Sequence, residues 1–377
     1  MTQLEGFTAP GFEGVRTVFE SNFAERNEVG AACSVYVDGR HVVDLAGGVV
    51  APDGDPYTRR TLQMVASATK GALAICALRL AERGELDLDA PVAEYWPEFA
   101  AEGKESVPVR WLLSHRAGLP YVDTVLPMTD VHGWRLIADA LAAQRPVWEP
   151  GTRHGYHAMT YGWLVGEVLA RVTGRTPGEL IRDEIAAPLG VEFWVGLPTA
   201  EVPRVAPLIL APPTPEPDPL TLLLFDPNSL AHRAFFVPNG LFTMINDQAT
   251  WAAQMPAVNG MATADALARM YAACLGEVDG VRLLSPETLR AATTEQSGGL
   301  DEVMRIESRF GLGFQLSYPL RPMAGGGSFG HYGLGGSLGF ALPERGITFG
   351  YTVNQMLPGG MVDPRSSALI EAVLAAT

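Results

Sequence analysis

The segment MVASATKGALAICALRLAERG, residues 64–84, constrains the fold more than any other stretch of the chain. It lacks proline and ends at Gly84, so it reads as one long helix entered near Ser67. Its apolar residues occupy nearly every face, and a helix without a polar side has to lie in the centre of a domain. The material to surround it comes from both ends of the chain. AACSVYVDGRHVVDLAGG (31–48) reads as a hairpin turned at Asp38-Gly39. Towards the C-terminus, FGLGFQLSY, SFGHYG, SLGFALP and ITFGYTVNQ read as short strands with glycine turns. Helices are expected at 14–26 and at the C-terminal PRSSALIEAVLAAT, and residues 86–280 read as mostly helical. The expected architecture is α+β: an antiparallel sheet domain built from 1–85 and 281–377, flanked by helices, and a mainly helical domain from 86–280. Within the latter, 200–238 is too rich in proline for regular structure, and its LTLLLF run makes it a candidate cover over a pocket.

The central helix also carries chemistry. Lys70 and Lys104 are the only lysines, all other members of the 27 basic residues being arginine. Arginine cannot give up its proton in a protein, so a retained lysine marks a place where a deprotonatable amine is useful. Ser67-Ala68-Thr69-Lys70 has S-x-x-K spacing, which puts serine and lysine on one helix face a turn apart. Burial would lower the Lys70 pKa and free its lone pair for use as a base. The helix N-terminus would stabilise negative charge near Ser67, whose own N–H is free to face an oxyanion. Ser67 is therefore the candidate nucleophile and Lys70 its base.

A rival serine is excluded by order. Gly335-Gly336-Ser337-Leu338-Gly339 fits the G-x-S-x-G elbow of many hydrolases, in which the acid and then the histidine follow the serine. All seven histidines precede Ser337, and the residues after it read as strand, turn and strand rather than helix. Ser337 is expected to be structural.

A formal charge of −15 argues against nucleic acid and anionic membrane as partners and suits a small neutral or cationic molecule. No basic-then-apolar leader opens the sequence and no apolar run approaches a membrane span, so a cytoplasmic location is expected. Cys33, Cys76 and Cys274 sit in apolar surroundings and are expected to be buried. No residue pattern calls for a metal or a cofactor, and the oligomeric state is left open.

Four motifs in register, SATK, LLSHRAGLP (112–120), WEPGTRHGYHAMTYGWLVGEVLARVTG (148–174) and GHYGLGGSLGF (330–340), resemble the serine hydrolases that include class C β-lactamases, penicillin-binding proteins and family VIII carboxylesterases. The resemblance runs from about residue 12 to 360 and implies a beta-lactamase-like fold. It implies that Tyr156 completes the site as general base or proton shuttle, its phenol drawn below its usual pKa by Lys70. It implies that His331-Tyr332-Gly333 stands where the family has K-T-G, so that the Leu334 N–H is the second oxyanion donor and His331, Gly333 and Gly335 contact substrate. His154 and His157, flanking Tyr156, are assigned supporting or surface positions, and Tyr161 packing. Two departures remove polar recognition: Ala158 replaces the asparagine of Y-x-N, and His331 replaces a lysine. They move the balance from β-lactams to esters of short to medium acyl chains. Acyl transfer, amide, peptide or β-lactam hydrolysis, and a catalytically silent binding protein are the alternatives.

Overall fold

In a computed structural model, which describes residues 3–52, 54–123, 133–211, 216–236, 244–357 and 362–377, the strands are β1 (Leu4–Thr8), β2 (Gly30–Val37), β3 (Arg40–Gly48), β4 (Leu62–Met64), β5 (Phe193–Trp194), β6 (Val205–Ala206), β7 (Met261–Ala262), β8 (Ser297–Leu300), β9 (Glu307–Phe310), β10 (Gln315–Leu316), β11 (Phe329–Tyr332), β12 (Leu338–Leu342) and β13 (Ile347–Val353). Nine form one antiparallel sheet in the order β1-β3-β2-β13-β12-β11-β10-β9-β8. The two chain ends meet at its centre, where β13 pairs with β2 from Ile347↔Val37 to Val353↔Ala31. The hairpin turn falls at Asp38 and Gly39, both with positive φ (49° and 74°), as a two-residue turn between twisted strands requires.

Helix α1 (Glu13–Glu25) and the terminal helix Pro364–Ala376 cover one face, burying Val15 and Phe19 together with Leu369, Ile370 and Val373 in a core shared with the sheet. Against the sheet also packs the helix Ala264–Leu275, which touches β2, β12 and β13. It comes so close that a Cβ on Gly350 would lie 2.0 Å from the Ala264 carbonyl oxygen. Helix α2 (Thr69–Glu82) is buried from Thr69 to Leu78, as its all-round apolar sequence demands, and belongs to the largest core cluster. A small second sheet, β5-β7-β4-β6, ties β4, which leads towards α2, to strands from the helical middle of the chain. Cys33, Cys76 and Cys274 are buried free thiols. Among the described residues no helix is long and apolar enough to cross a membrane.

Two expectations need correction. The proline-rich 200–238 stretch contains regular structure after all, the helices Pro219–Phe225 and Leu230–Phe236, while 212–215 and 237–238 lie outside the described residues. Pro219 occupies the first helical position, where its missing N–H costs nothing, and Asp218 caps the N–H groups of Leu220 and Thr221. The second lysine also has a different task from the one its rarity suggested. The Lys104 ammonium is a buried tie that donates to the carbonyls of Ala101 (2.7 Å) and Gln144 (2.5 Å), and burial lowers its pKa to about 8.

Candidate active site

Between β4 and α2 the chain makes a single 3₁₀ turn, Ala66–Ala68. Ala66 adopts φ 46°, a left-handed conformation that costs energy for any residue with a Cβ. It is held there by a Val65 N–H bond to the Gly260 carbonyl (2.8 Å) and by the Thr69 hydroxyl, which donates to the Ala66 carbonyl (2.6 Å). The kink leaves Ser67 half-buried, while Lys70, in the first turn of α2, is fully buried.

The Lys70 Nζ lies 3.0 Å from the Ser67 Oγ, 2.7 Å from the Ala158 carbonyl oxygen and 3.0 Å from that of Ala257. Burial is what sets its pKa, pushing it well below the ordinary lysine value. A neutral amine has two N–H groups and one lone pair. With its two N–H groups on the backbone carbonyls of Ala158 and Ala257, the deprotonated amine would turn this lone pair to the serine hydroxyl.

Tyr156 comes from the loop before the helix Thr160–Thr173. Its ring centroid is 4.9 Å from the Lys70 Nζ, and its phenol interacts with Ser67. The expectation that Lys70 would draw this phenol below its usual pKa is not met. Burial outweighs the Ser67 interaction and pushes it well above. Tyr156 rests as a protonated phenol.

The segment carrying Tyr156 is held from behind by residues that the sequence did not single out. Both carboxylate oxygens of buried Asp301 accept the Tyr156 N–H at 3.1 Å, and Asp301 also accepts from the N–H groups of Val303 and Met304. The Ser308 hydroxyl donates to Asp301 (3.0 Å), and His154 Nε2 meets that hydroxyl at 2.9 Å. His157 donates from Nδ1 to the Gly155 carbonyl (2.7 Å) and accepts the Leu119 N–H at Nε2 (3.0 Å); burial drops its pKa to about 3. Neither flanking histidine is on the surface. His115, inside the LLSHRAGLP motif, accepts the His157 N–H at Nδ1 (3.1 Å) and packs its ring 5.0 Å from that of Tyr156. Tyr161 is fully buried packing, 5.8 Å from the amine.

On the opposite wall, β11 and β12 are joined by the turn 333–337, closed by Gly333 N–H to the Ser337 carbonyl (2.7 Å). Among the described residues, the N–H groups of Ser67 and Leu334 have no protein acceptor. Ser67 and Leu334 line two adjoining chambers. One is walled by Met64, Ala158, Met159, Leu208, Val258 and Met356 and is almost wholly apolar. The other, lined by Tyr156, His331, Gly333, Gln315 and Arg321 among others, is mixed. Both are narrow and partly open to solvent. Phe235, from the Leu230–Phe236 helix, contributes to both.

His331 donates from Nδ1 to the Tyr332 carbonyl (2.7 Å), so its Nε2 carries a bare lone pair. Burial and Lys70 hold its pKa well below the usual value. Gly335, expected on the substrate wall, lines neither chamber. Its φ of 98° shapes the turn instead. Ser337 is buried, lines neither chamber, and contributes its carbonyl to the turn.

The beta-lactamase family model matches residues 15–373. The chain is 37% identical over 364 residues to the esterase/beta-lactamase LipL of Mycobacterium tuberculosis, spanning 93% of this chain and 83% of that protein. The crystal structure of a family VIII carboxylesterase superposes with a TM-score of 0.91 at 36% identity, covering 100% of both chains. A penicillin-binding protein homologue from Caulobacter crescentus superposes with a TM-score of 0.88 at 37% identity, again over 100% of both.

Proposed function

The chain is a serine hydrolase of the beta-lactamase family, and on that premise we propose that it is a carboxylesterase that cleaves esters of short to medium acyl chains through an acyl-enzyme on Ser67. The arrangement at Lys70 carries this reading. Its lone pair faces the Ser67 hydroxyl at 3.0 Å while two carbonyls occupy its N–H groups. Lys70 takes the Ser67 proton as Oγ attacks the ester carbonyl, and the N–H groups of Ser67 and Leu334 receive the oxyanion. Tyr156, a protonated phenol linked to Ser67, gives its proton to the departing alkoxide and is reprotonated through Lys70. Water then enters, loses a proton to the same pair, and releases the acid.

Because Tyr156 lines the mixed chamber and not the apolar one, the alcohol leaves into the mixed chamber and the acyl chain occupies the apolar one. Esters rather than β-lactams or amides are favoured by two side chains. The Ala158 methyl offers no amide to hold a peptide-like group, and the neutral acceptor at His331 does not pair with a carboxylate. The esterase and carboxylesterase names of the relatives agree with this choice. An alcohol entering in place of water would make the same site an acyltransferase. The test is hydrolysis of p-nitrophenyl butyrate: turnover should vanish in Ser67→Ala, and full activity in that variant would end the proposal.

A further inference from the structure

The two narrow chambers meet at the nucleophile, and among the described residues three line both of them: Ser67, Leu334 and Phe235. In the proposed reaction Ser67 supplies the attacking oxygen and Leu334 an oxyanion donor, so the ester group has to lie where the chambers join. Phe235, from the helix Leu230–Phe236, brings neither a side-chain donor nor an acceptor to that junction. Its ring centroid lies 5.9 Å from that of Tyr156. The helix that carries it is fastened on two sides. Arg233 donates to the Asp123 carboxylate (2.7 Å) and stacks 3.6 Å from the centroid of the Tyr121 ring, while His232 Nδ1 donates to the Leu224 carbonyl (2.8 Å). Ala231 and Ala234 are buried in the same core cluster as Tyr156. Phe235 is thus a fixed apolar wall beside the reacting ester.

We infer that Phe235 is a specificity-determining residue whose ring confines the enzyme to esters unbranched at the two carbons flanking the ester group, that is, straight-chain acyl groups on primary alcohols. This rests on the esterase reading and on the assignment of acyl chain and alcohol to the two chambers. With the carbonyl carbon at the Ser67 Oγ and its oxygen towards the Leu334 N–H, two substrate atoms lie nearest the junction. They are the carbon bonded to the carbonyl and the carbon bonded to the ester oxygen. A methylene at either point leaves room for a flat ring alongside. A quaternary carbon turns a methyl towards the ring whichever way the chain is rotated. Walls that cannot retreat discriminate against such extra methyls by about tenfold or more each.

The experiment measures kcat/KM by pH-stat for butyl butyrate, butyl 2,2-dimethylbutyrate and tert-butyl butyrate, in the wild type and in Phe235→Ala. Each branched-to-unbranched ratio is compared between the two enzymes, so that the intrinsic reactivity of the esters and any general loss from a disturbed Tyr156 cancel. Phe235→Ala should raise both ratios by about tenfold or more, and Phe235→Leu should raise both by less. Met356→Ala, on the apolar chamber alone, should leave the tert-butyl ratio unchanged, and Leu224→Ala, on the mixed chamber alone, should leave the dimethylbutyrate ratio unchanged. If Phe235→Ala fails to fold, Phe235→Leu decides the matter from the same two ratios. Ratios that stay within about twofold of the wild type, or a rise in only one of them, with Ser67-dependent activity intact, would overturn the inference and spare the esterase reading. Absence of Ser67-dependent turnover of every ester would overturn both.

Discussion

Replacing Gly333 by alanine should disable the oxyanion site without touching a catalytic side chain. A Cβ built on Gly333 lies 2.2 Å from the Val65 carbonyl oxygen, 3.1 Å from its carbon and 3.2 Å from the Ser337 carbonyl oxygen. The first contact is more than about 1 Å short of van der Waals separation. Val65 cannot yield, because its N–H is bonded to Gly260 and its carbonyl accepts the Ala68 N–H at 3.1 Å within the turn that carries Ser67. The 333–337 turn must therefore retreat, and it takes the Leu334 N–H with it. An oxyanion bond of about 2.9 Å lengthened by about 1 Å is no longer a hydrogen bond. Loss of one such donor costs roughly 10²- to 10³-fold in rate, or about 3–4 kcal/mol of transition-state stabilisation. The assay is kcat/KM for p-nitrophenyl butyrate beside a thermal melt. Gly326→Ala is the control, since a Cβ there meets nothing within 4 Å. A folded Gly333→Ala enzyme that keeps its kcat/KM within about threefold would refute the placement of the Leu334 N–H in the oxyanion site.

Three further outcomes follow from the buried ionisable groups. In the proposed mechanism Lys70 acts as a neutral amine, so kcat/KM should rise with pH through a pKa well below that of a free lysine, and Lys70→Arg, permanently charged, should abolish that limb and the activity with it in a stopped-flow pH series. Tyr156→Phe keeps the ring but removes the proton donor and should lower kcat by about 10²- to 10⁴-fold, with less effect for p-nitrophenol, which needs little help to leave, than for an alkyl alcohol. Glu28, bonded to buried Arg365 at 3.0 Å, is raised by burial from 4.5 to about 7. Folded Glu28 thus holds a proton that the unfolded chain has lost, so its stabilisation is complete below pH 4.5 and disappears as pH rises through 7, by up to about 3 kcal/mol; urea unfolding across pH 4–8 should show that slope, and Glu28→Gln should flatten it.

What the sequence revealed follows the range of the interactions involved. S-x-x-K is a local relation on one helix, and its two side chains meet as the spacing demands. The Asp38-Gly39 turn and the all-round apolar α2 are equally local and equally visible. Asp301 lies 145 residues from the Tyr156 N–H that it holds, and no periodicity in GLDEVMRIES announces that bond. His115 stood in a quoted motif, and only its packing against Tyr156 shows what it supports. The short edge strand β8 and its neighbour β9, with glycines and charges outward, carry too little apolar alternation to read as strands. The helices at 219–236 were hidden by proline, which breaks a helix in its interior and starts one at its first position. Tyr156 shows the converse limit: its place could be inferred from the motif, whereas the direction of its pKa shift depends on burial that only the fold supplies.

The central claim is that the nucleophile is Ser67 and not the serine of GGSLG. Incubation with a fluorophosphonate, or brief quenching with p-nitrophenyl butyrate, followed by peptide mass spectrometry, reads this out directly. The adduct is predicted on the peptide containing Ser67, to be absent in Ser67→Ala and unchanged in Ser337→Ala. An adduct on Ser337 that survives in Ser67→Ala would contradict the account.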